Sequence, residues 1–189
     1  MKNYQITEWC HHFIRNHVQE GDICIDATAG NGNDTQLLCE LVGDTGKVLA
    51  FDIQAQAVAN TKERLEIAGL SERAEVLQDS HTNMGNYANE GSVSCIVFNF
   101  GYLPGGDHNL ATRKETSIEA IHEGLRLLKK NGMMSLCIYS GGDSGFEERD
   151  AILEELKQLD GKKYLVIKSE YYNRPNNPPM PVMIVKLKF

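Results

Sequence analysis

Apolar residues recur along the chain in two rhythms. Ile6, Trp9, Phe13, Ile14 and Val18 follow a helical spacing and predict a helix over Tyr4 to Val18, ended by Gly21-Asp22. Ile23-Cys24-Ile25 is a short apolar strand that runs into Asp26 and a glycine-rich turn. A helix from about Asp34 to Val42, closed by Gly43 and Gly46, leads to a second strand over Lys47 to Asp52. Gln54 to Ala68 reads as a helix with Val58, Leu65 and Ala68 inward and Gly69 as its C-terminal stop. Ala74 to Gln78 is the third strand. Val93 to Phe100 is continuously apolar, as in a strand buried on both faces. Thr116 and Glu119 form a capping box for a helix facing inward through Ile118, Ile121, Leu125 and Leu128, with Asn131-Gly132 as its stop. Met133 to Tyr139 is the fifth strand, and Phe146 to Leu159 a helix carrying Ile152, Leu153, Leu156 and Leu159. Tyr164 to Tyr172 and Val182 to Phe189 are the last strands. The link Asn173 to Pro181 is too short for a crossover helix, so that pair must be antiparallel.

Strand and helix alternate about five times before a hairpin. This predicts an α/β fold: a mostly parallel seven-stranded sheet, doubly wound with helices on both faces, and an antiparallel C-terminal hairpin strand near one edge. One domain is expected over residues 1–189, with an N-terminal helical segment (1–20) and a core (21–189). In such sheets the ligand lies beyond the carboxyl ends of the strands, near the switch in strand order. The stretches to watch are therefore Asp26–Thr35, Asp52, Asp79–His81 and Asn99–His108.

Composition narrows the class. The 189 residues are 41% hydrophobic and 24% charged, which is ordinary for a globular chain. No apolar run approaches the roughly 18–20 residues of a membrane span. Met1 to Gln19 carries Glu8, Arg15 and three histidines, unlike a signal peptide. The net charge of −7 argues against coating nucleic acid by bulk charge, though not against a local basic patch. Five cysteines (Cys10, Cys24, Cys39, Cys95 and Cys137) show no C-x-x-C pair, which points to a cytoplasmic chain without a disulfide framework or zinc site. His11, His12 and His17 make no metal set with a nearby acid and read as surface or packing residues; no metal is expected. Trp9 and Phe13 could bury in the core or in a homodimer seam.

The candidate chemistry starts at Asp26-Ala27-Thr28-Ala29-Gly30-Asn31-Gly32-Asn33-Asp34-Thr35. A strand, a glycine turn and a helix N-terminus present backbone N–H groups to a ligand. The string lacks G-x-x-x-x-G-K-[ST], and Thr35 breaks G-x-G-x-x-G. Asp52, at the end of the second strand, can accept both hydroxyls of a ribose, with Ile53 and Gln54 beside it. Asp79, with Ser80 and His81, is placed to accept from an adenine amino group. The combination resembles the nucleoside site of Rossmann-like S-adenosylmethionine-dependent methyltransferases, with Thr28 standing where glycine is common. The terminal hairpin favours this reading over a dinucleotide oxidoreductase, which stays open as a lesser alternative.

The next segment runs Asn99-Phe100-Gly101-Tyr102-Leu103-Pro104-Gly105-Gly106-Asp107-His108. It resembles the N-P-P-Y motif of amino-methylating enzymes, with Asn99 and Tyr102 kept and both prolines replaced. The resemblance implies that the Asn99 side chain and a backbone carbonyl accept from the target amine. An ammonium has no lone pair, so the amine must first lose a proton, and Asp107, His108 or bulk water could take it. Gly141-Gly142-Asp143-Ser144 follows the fifth strand and is a candidate for the substrate rim.

Longer strings carry a narrower resemblance. A-T-A-G-N-G-N-D-T after Gly21-Asp22, F-D-I-Q at Phe51 to Gln54, L-P-G-G-D-H within the segment above, Thr112 and Thr116, Tyr139-Ser140-Gly141-Gly142 and N-N-P-P at Asn176 to Pro179 resemble a small single-domain bacterial family labelled putative rRNA methylase. Gly142 departs from that pattern, which often has His there. The resemblance implies N-methylation of the 5-aminomethyl group of a uridine, often 2-thiolated, at the wobble position of tRNA. The resemblance also implies S-adenosylmethionine as the cofactor and the tRNA anticodon region as the partner. Substrate contacts would come from Tyr102, Leu103, Pro104, Gly105, Gly106, Arg113, Lys114 and Arg174. Tyr102, Tyr171 or Tyr172 could stack on a splayed base, although Tyr171 and Tyr172 read first as strand packing. Methylation of rRNA, of a small amine or of a protein side chain, and a non-catalytic cofactor-binding partner subunit, stay open beside it.

Overall fold

The computed structural model describes residues 4–101, 113–140 and 142–188. Its strands are β1 (Ile23–Asp26), β2 (Lys47–Asp52), β3 (Ala74–Gln78), β4 (Val93–Phe100), β5 (Leu128–Ile138), β6 (Tyr164–Lys168) and β7 (Met180–Lys186). They form one seven-stranded sheet in the order β3-β2-β1-β4-β5-β7-β6. The first five are parallel, and β7 runs antiparallel to both β5 and β6. This is the doubly wound arrangement expected from the sequence, with the hairpin strand inserted next to the edge. The chain runs outward from β1 to β3, then crosses to β4 on the other side of β1, so the switch in strand order lies between β1 and β4.

The alternation of side chains along β4 shows how both faces are filled. Cys95 and Val97 join a core with Cys10 and Ile14 of α1 (Ile6–His17), Leu37 and Leu38 of α2 (Asn33–Val42) and Leu65 of α3 (Ala55–Ile67). Ile96, Phe98 and Phe100 join a second core with Ile121 and Leu125 of α4 (Lys114–Leu127) and Ile152 and Leu156 of α5 (Gly142–Gln158). Successive strand residues point to opposite faces, so an unbroken apolar run supplies two cores at once. All five cysteines are buried and free. Trp9 and Phe13 pack edge-to-face, and Trp9 Nε1 donates to Ser169 Oγ at 3.2 Å, which ties α1 to the link between β6 and β7.

Several expected boundaries move. Helix α4 starts two residues before Thr116, whose hydroxyl donates to the carbonyl of Arg113, so there is no capping box at Thr116. Leu128 opens β5 instead of closing α4, and it pairs with Val93. Asn131, at φ 62°, lies inside β5 near a register shift, so Asn131-Gly132 marks an irregularity in a strand and not a helix stop. At this junction Lys186 on β7 donates to the carbonyls of Leu125 and Leu128 at 3.0 and 2.7 Å. Helix α5 begins at Gly142, ahead of the expected Phe146. Ala68 is exposed, not inward, while Gly69 sits at φ 69° just past α3 as expected. Strand β6 stops at Lys168, so Tyr171 and Tyr172 lie beyond it. Tyr172 is 95% exposed, which removes strand packing as its role.

Candidate active site

A cleft of about 790 Å³ opens at the carboxyl ends of β1, β2, β3 and β4. Its floor is the turn between β1 and α2. Gly30 and Gly32 sit at φ 55° and 77°, conformations that residues with a Cβ rarely adopt. A Cβ on Gly32 would also meet the Thr61 main chain at 3.0 Å. Helix α3 holds this turn from behind. Arg64 Nε donates to the carbonyl of Asn31 at 2.6 Å, Asn60 Nδ2 to Asn31 Oδ1 at 2.9 Å, and Thr61 Oγ1 to the carbonyl of Gly30 at 3.2 Å.

Asp52 reaches the turn from β2. One carboxylate oxygen accepts the N–H of Gly30 at 2.9 Å and the other the N–H of Gln54 at 3.0 Å. An ionised carboxylate has about four acceptor positions, so capacity remains for a ligand's hydroxyls. Ile53 beside it is 52% exposed, an apolar surface turned to the cleft. Asp79 also lines the cleft, but its carboxylate already accepts from Asn83 Nδ2, Tyr87 Oη and the N–H of Ser80. Those bonds, with Asn83 foremost, hold it below the usual carboxylate range. His81 packs edge-on against Phe98 and Phe100, and burial lowers its pKa, favouring the neutral ring.

Not every expected cofactor residue faces the cleft. Thr28, Ala29, Gly30, Asn31, Asn33, Asp34, Asp52, Ile53, Gln54, Asp79, Ser80, His81 and Asn99 line it. Asp26, Gly32, Thr35 and Phe100 do not; they build the wall behind it. Asp26 is fully buried, with Oδ2 accepting from Thr35 Oγ1 at 2.6 Å and Oδ1 from the N–H of Thr28 at 3.2 Å. Burial, with the nearby Asp34 charge second, raises its pKa to about 7. Phe100 is fully buried in the second core. Of the expected substrate residues, Arg113 lines the cleft. Lys114 is exposed and sits 4.0 Å from both Glu115 and Glu147. Arg174 is exposed on the β6–β7 link. Tyr102, Leu103, Pro104, Gly105, Gly106, Asp107, His108, Thr112 and Gly141 lie outside the described residues.

The cleft also has residues that pattern reading passed over. His11, expected at the surface or in packing, faces the cleft together with Thr7 and Glu8 of α1. Its Nε2 lies 2.5 Å from Asp34 Oδ1. The available signal was a polar residue on the inward stripe Thr7–Cys10–His11–Ile14. Tyr139, just after β5, also lines the cleft, and burial raises its pKa above the ordinary phenol value. At the centre stands Asn99. Its Nδ2 donates to Asp34 Oδ2 at 2.7 Å, which turns its carbonyl oxygen to the other side of the amide. Among the described residues no group of three or more His, Cys, Asp or Glu is placed to hold a metal ion, and no helix is long and apolar enough to cross a membrane.

Comparison with known proteins points the same way. Residues 48–185 match the family described as Putative rRNA methylase. The chain is 34% identical over 186 residues to the chloroplastic tRNA (mnm(5)s(2)U34)-methyltransferase of Arabidopsis thaliana, covering 94% of this chain and 68% of that protein. The crystal structure of a putative rRNA-methylase from Clostridium thermocellum superposes with a TM-score of 0.95 at 43% identity, over 98% of this chain and 100% of that one. A putative methyltransferase from Streptococcus mutans, in complex with SAH, gives 0.88 at 35% identity, over 98% and 99%.

Proposed function

The chain belongs to the Putative rRNA methylase family and is an S-adenosylmethionine-dependent methyltransferase, and we propose that its acceptor is the 5-aminomethyl group of a (2-thio)uridine at the tRNA wobble position. The observation that carries the choice of an amine is Asn99. Its amide nitrogen is committed to Asp34, so the carbonyl oxygen is the end able to accept an N–H from the target. A carbon acceptor would have no use for it. The relative from Arabidopsis, named for methylating mnm(5)s(2)U34 of tRNA, supports the choice of RNA.

The donor set fits the cofactor. Asp52 has acceptor capacity for two ribose hydroxyls, Ile53 offers an apolar surface for a purine, and the turn at Ala29–Asn31 brings main-chain groups to the cleft. When bound, S-adenosylmethionine supplies an electrophilic methyl on a sulfonium. The protein's share is to hold the neutral amine in line, so the nitrogen lone pair forms the new bond while the old carbon–sulfur pair leaves with sulfur. Positioning and exclusion of water do most of this work. The departing proton of the ammonium passes to a base or to solvent before attack.

For the RNA, Arg113 at the cleft and exposed Tyr172 and Arg174 on the β6–β7 link are candidates for cations and a stacking surface, all at the carboxyl end of the parallel strands. At a net charge of −7, binding depends on such local cations. The test is methyl transfer from labelled S-adenosylmethionine into tRNA bearing 5-aminomethyluridine, before and after acetylation of its aliphatic amines. Transfer lost on acetylation is the expected result. Transfer that survives acetylation overturns the amine assignment.

A further inference from the structure

We propose that His11 is a positioning residue for methyl transfer: acting through Asp34, it fixes the carboxamide of Asn99 with its oxygen toward the acceptor amine. This rests on the reading of Asn99 as the amine acceptor. His11 Nε2 lies 2.5 Å from Asp34 Oδ1, and Asp34 Oδ2 accepts Asn99 Nδ2 at 2.7 Å. The carboxylate thus bridges a helix outside the sheet to the end of β4. Both members of the His11–Asp34 pair are largely shielded, at 14% and 16% exposure, so their bond is weakly screened. The side of α1 that carries His11 is anchored: Cys10 sits against Cys137 and Ser135 of β5, and Ile14 is fully buried.

The logic is one of acceptors. A carboxylate can only accept, so His11 must donate through Nε2–H and Asn99 through its NH₂. A flipped Asn99 would set its carbonyl against the Asp34 oxygen, which is repulsive. With Asp34 held by His11, the flipped state is closed and the acceptor oxygen is preorganised. Without His11, Asp34 is free to rotate, and Asn99 loses its fixed partner.

The experiment compares His11→Ala and His11→Gln with the unsubstituted protein. Glutamine offers an N–H donor with no imidazole, so it restores a hydrogen-bonding role. Side-chain amide ¹H–¹⁵N spectra, with the Asn99 signal identified by its loss in Asn99→Asp, read the bond without any substrate. One Asn99 proton shifted downfield in wild type and in His11→Gln, with that shift lost in His11→Ala, is expected. Turnover of the tRNA substrate should fall about 10–100-fold in His11→Ala and largely recover in His11→Gln. Affinity for S-adenosylhomocysteine should stay within about twofold throughout. An Asn99 signal unchanged by His11→Ala, or a loss of affinity matching the loss of turnover, overturns the proposal. A protein inert on every tRNA overturns the substrate reading, while the amide spectra still decide the role of His11.

Discussion

Thr28 Oγ1 accepts the main-chain N–H of Asn99 at 2.7 Å. The ladder between β1 and β4 pairs Asp26 with Val97, and the N–H of Ala27 still reaches the carbonyl of Val97. Beyond that the chain turns away, and a side chain takes over from the main chain. Thr28 therefore has a structural reason to stand where glycine is common in such loops: it holds the strand end that carries Asn99. Thr28→Ala leaves that N–H without its acceptor, at a cost of about 1–3 kcal/mol in stability. Thr28→Ser should recover most of it. Denaturant unfolding of both variants checks this, and equal losses in the two would count against the hydroxyl.

Asp52 bridges two N–H groups of adjacent loops, Gly30 and Gln54. Asp52→Ala removes this bridge and the acceptors for a ribose together. Calorimetric titration with S-adenosylhomocysteine should show affinity reduced by a factor of about 100 or more, since hydrogen bonds to charged groups contribute about 1.5–3 kcal/mol each. Unchanged affinity would move the nucleoside elsewhere in the cleft.

Arg64 does not itself line the cleft, yet its Nε holds the carbonyl of Asn31, which does, at 2.6 Å and its Nη1 reaches Gln36 Oε1 at 3.2 Å. Arg64→Met keeps most of the apolar stem and loses both bonds. Cofactor affinity should fall several-fold, with turnover at saturating cofactor little changed, because the glycine turn loses its support and the reacting groups do not. Steady-state kinetics with both substrates varied separates the two effects.

Two kinds of buried group pull stability in opposite directions with pH. Asp26 has its pKa raised to about 7, first by burial and then by Asp34, against an ordinary 3.8. Its contribution is full below about 4 and is lost as pH rises through about 7. His17 and His81 are lowered by burial from 6.5, so their contribution is full above about 6.5 and is lost as pH falls below it. Asp26→Asn removes only the first effect. Between about pH 4.5 and 7.5 the melting temperature of wild type should drop relative to that of this variant as the pH rises. Parallel curves would contradict the assignment.

The sheet was legible where an apolar run ended at a polar or turn residue. Lys47–Asp52, Ala74–Gln78 and Val93–Phe100 are strands with the bounds that pattern alone implies. The end of α4 was not legible, because Leu128 satisfies a helical stripe and a buried strand equally well. At that junction Lys186, remote in sequence, takes the carbonyl of Leu125 in the helix's last turn and that of Leu128 at the start of the strand. The site divided in the same way. Residues at the carboxyl end of a strand, such as Asp52 and Asn99, could be found from position. Asp26 shares that signal but accepts from Thr35 of α2 inside the wall, a pairing that local pattern does not encode. His11 was hidden because its partner Asp34 is brought to it only by the packing of α1 on the sheet.

The most direct test of the account is nucleoside mass spectrometry on tRNA carrying 5-aminomethyl-2-thiouridine, after incubation with the protein and methyl-labelled S-adenosylmethionine. The account predicts one labelled methyl on that nucleoside, giving 5-methylaminomethyl-2-thiouridine, and its loss with Asn99→Ala. No gain on that nucleoside, with cofactor binding confirmed in the same preparation, would contradict it.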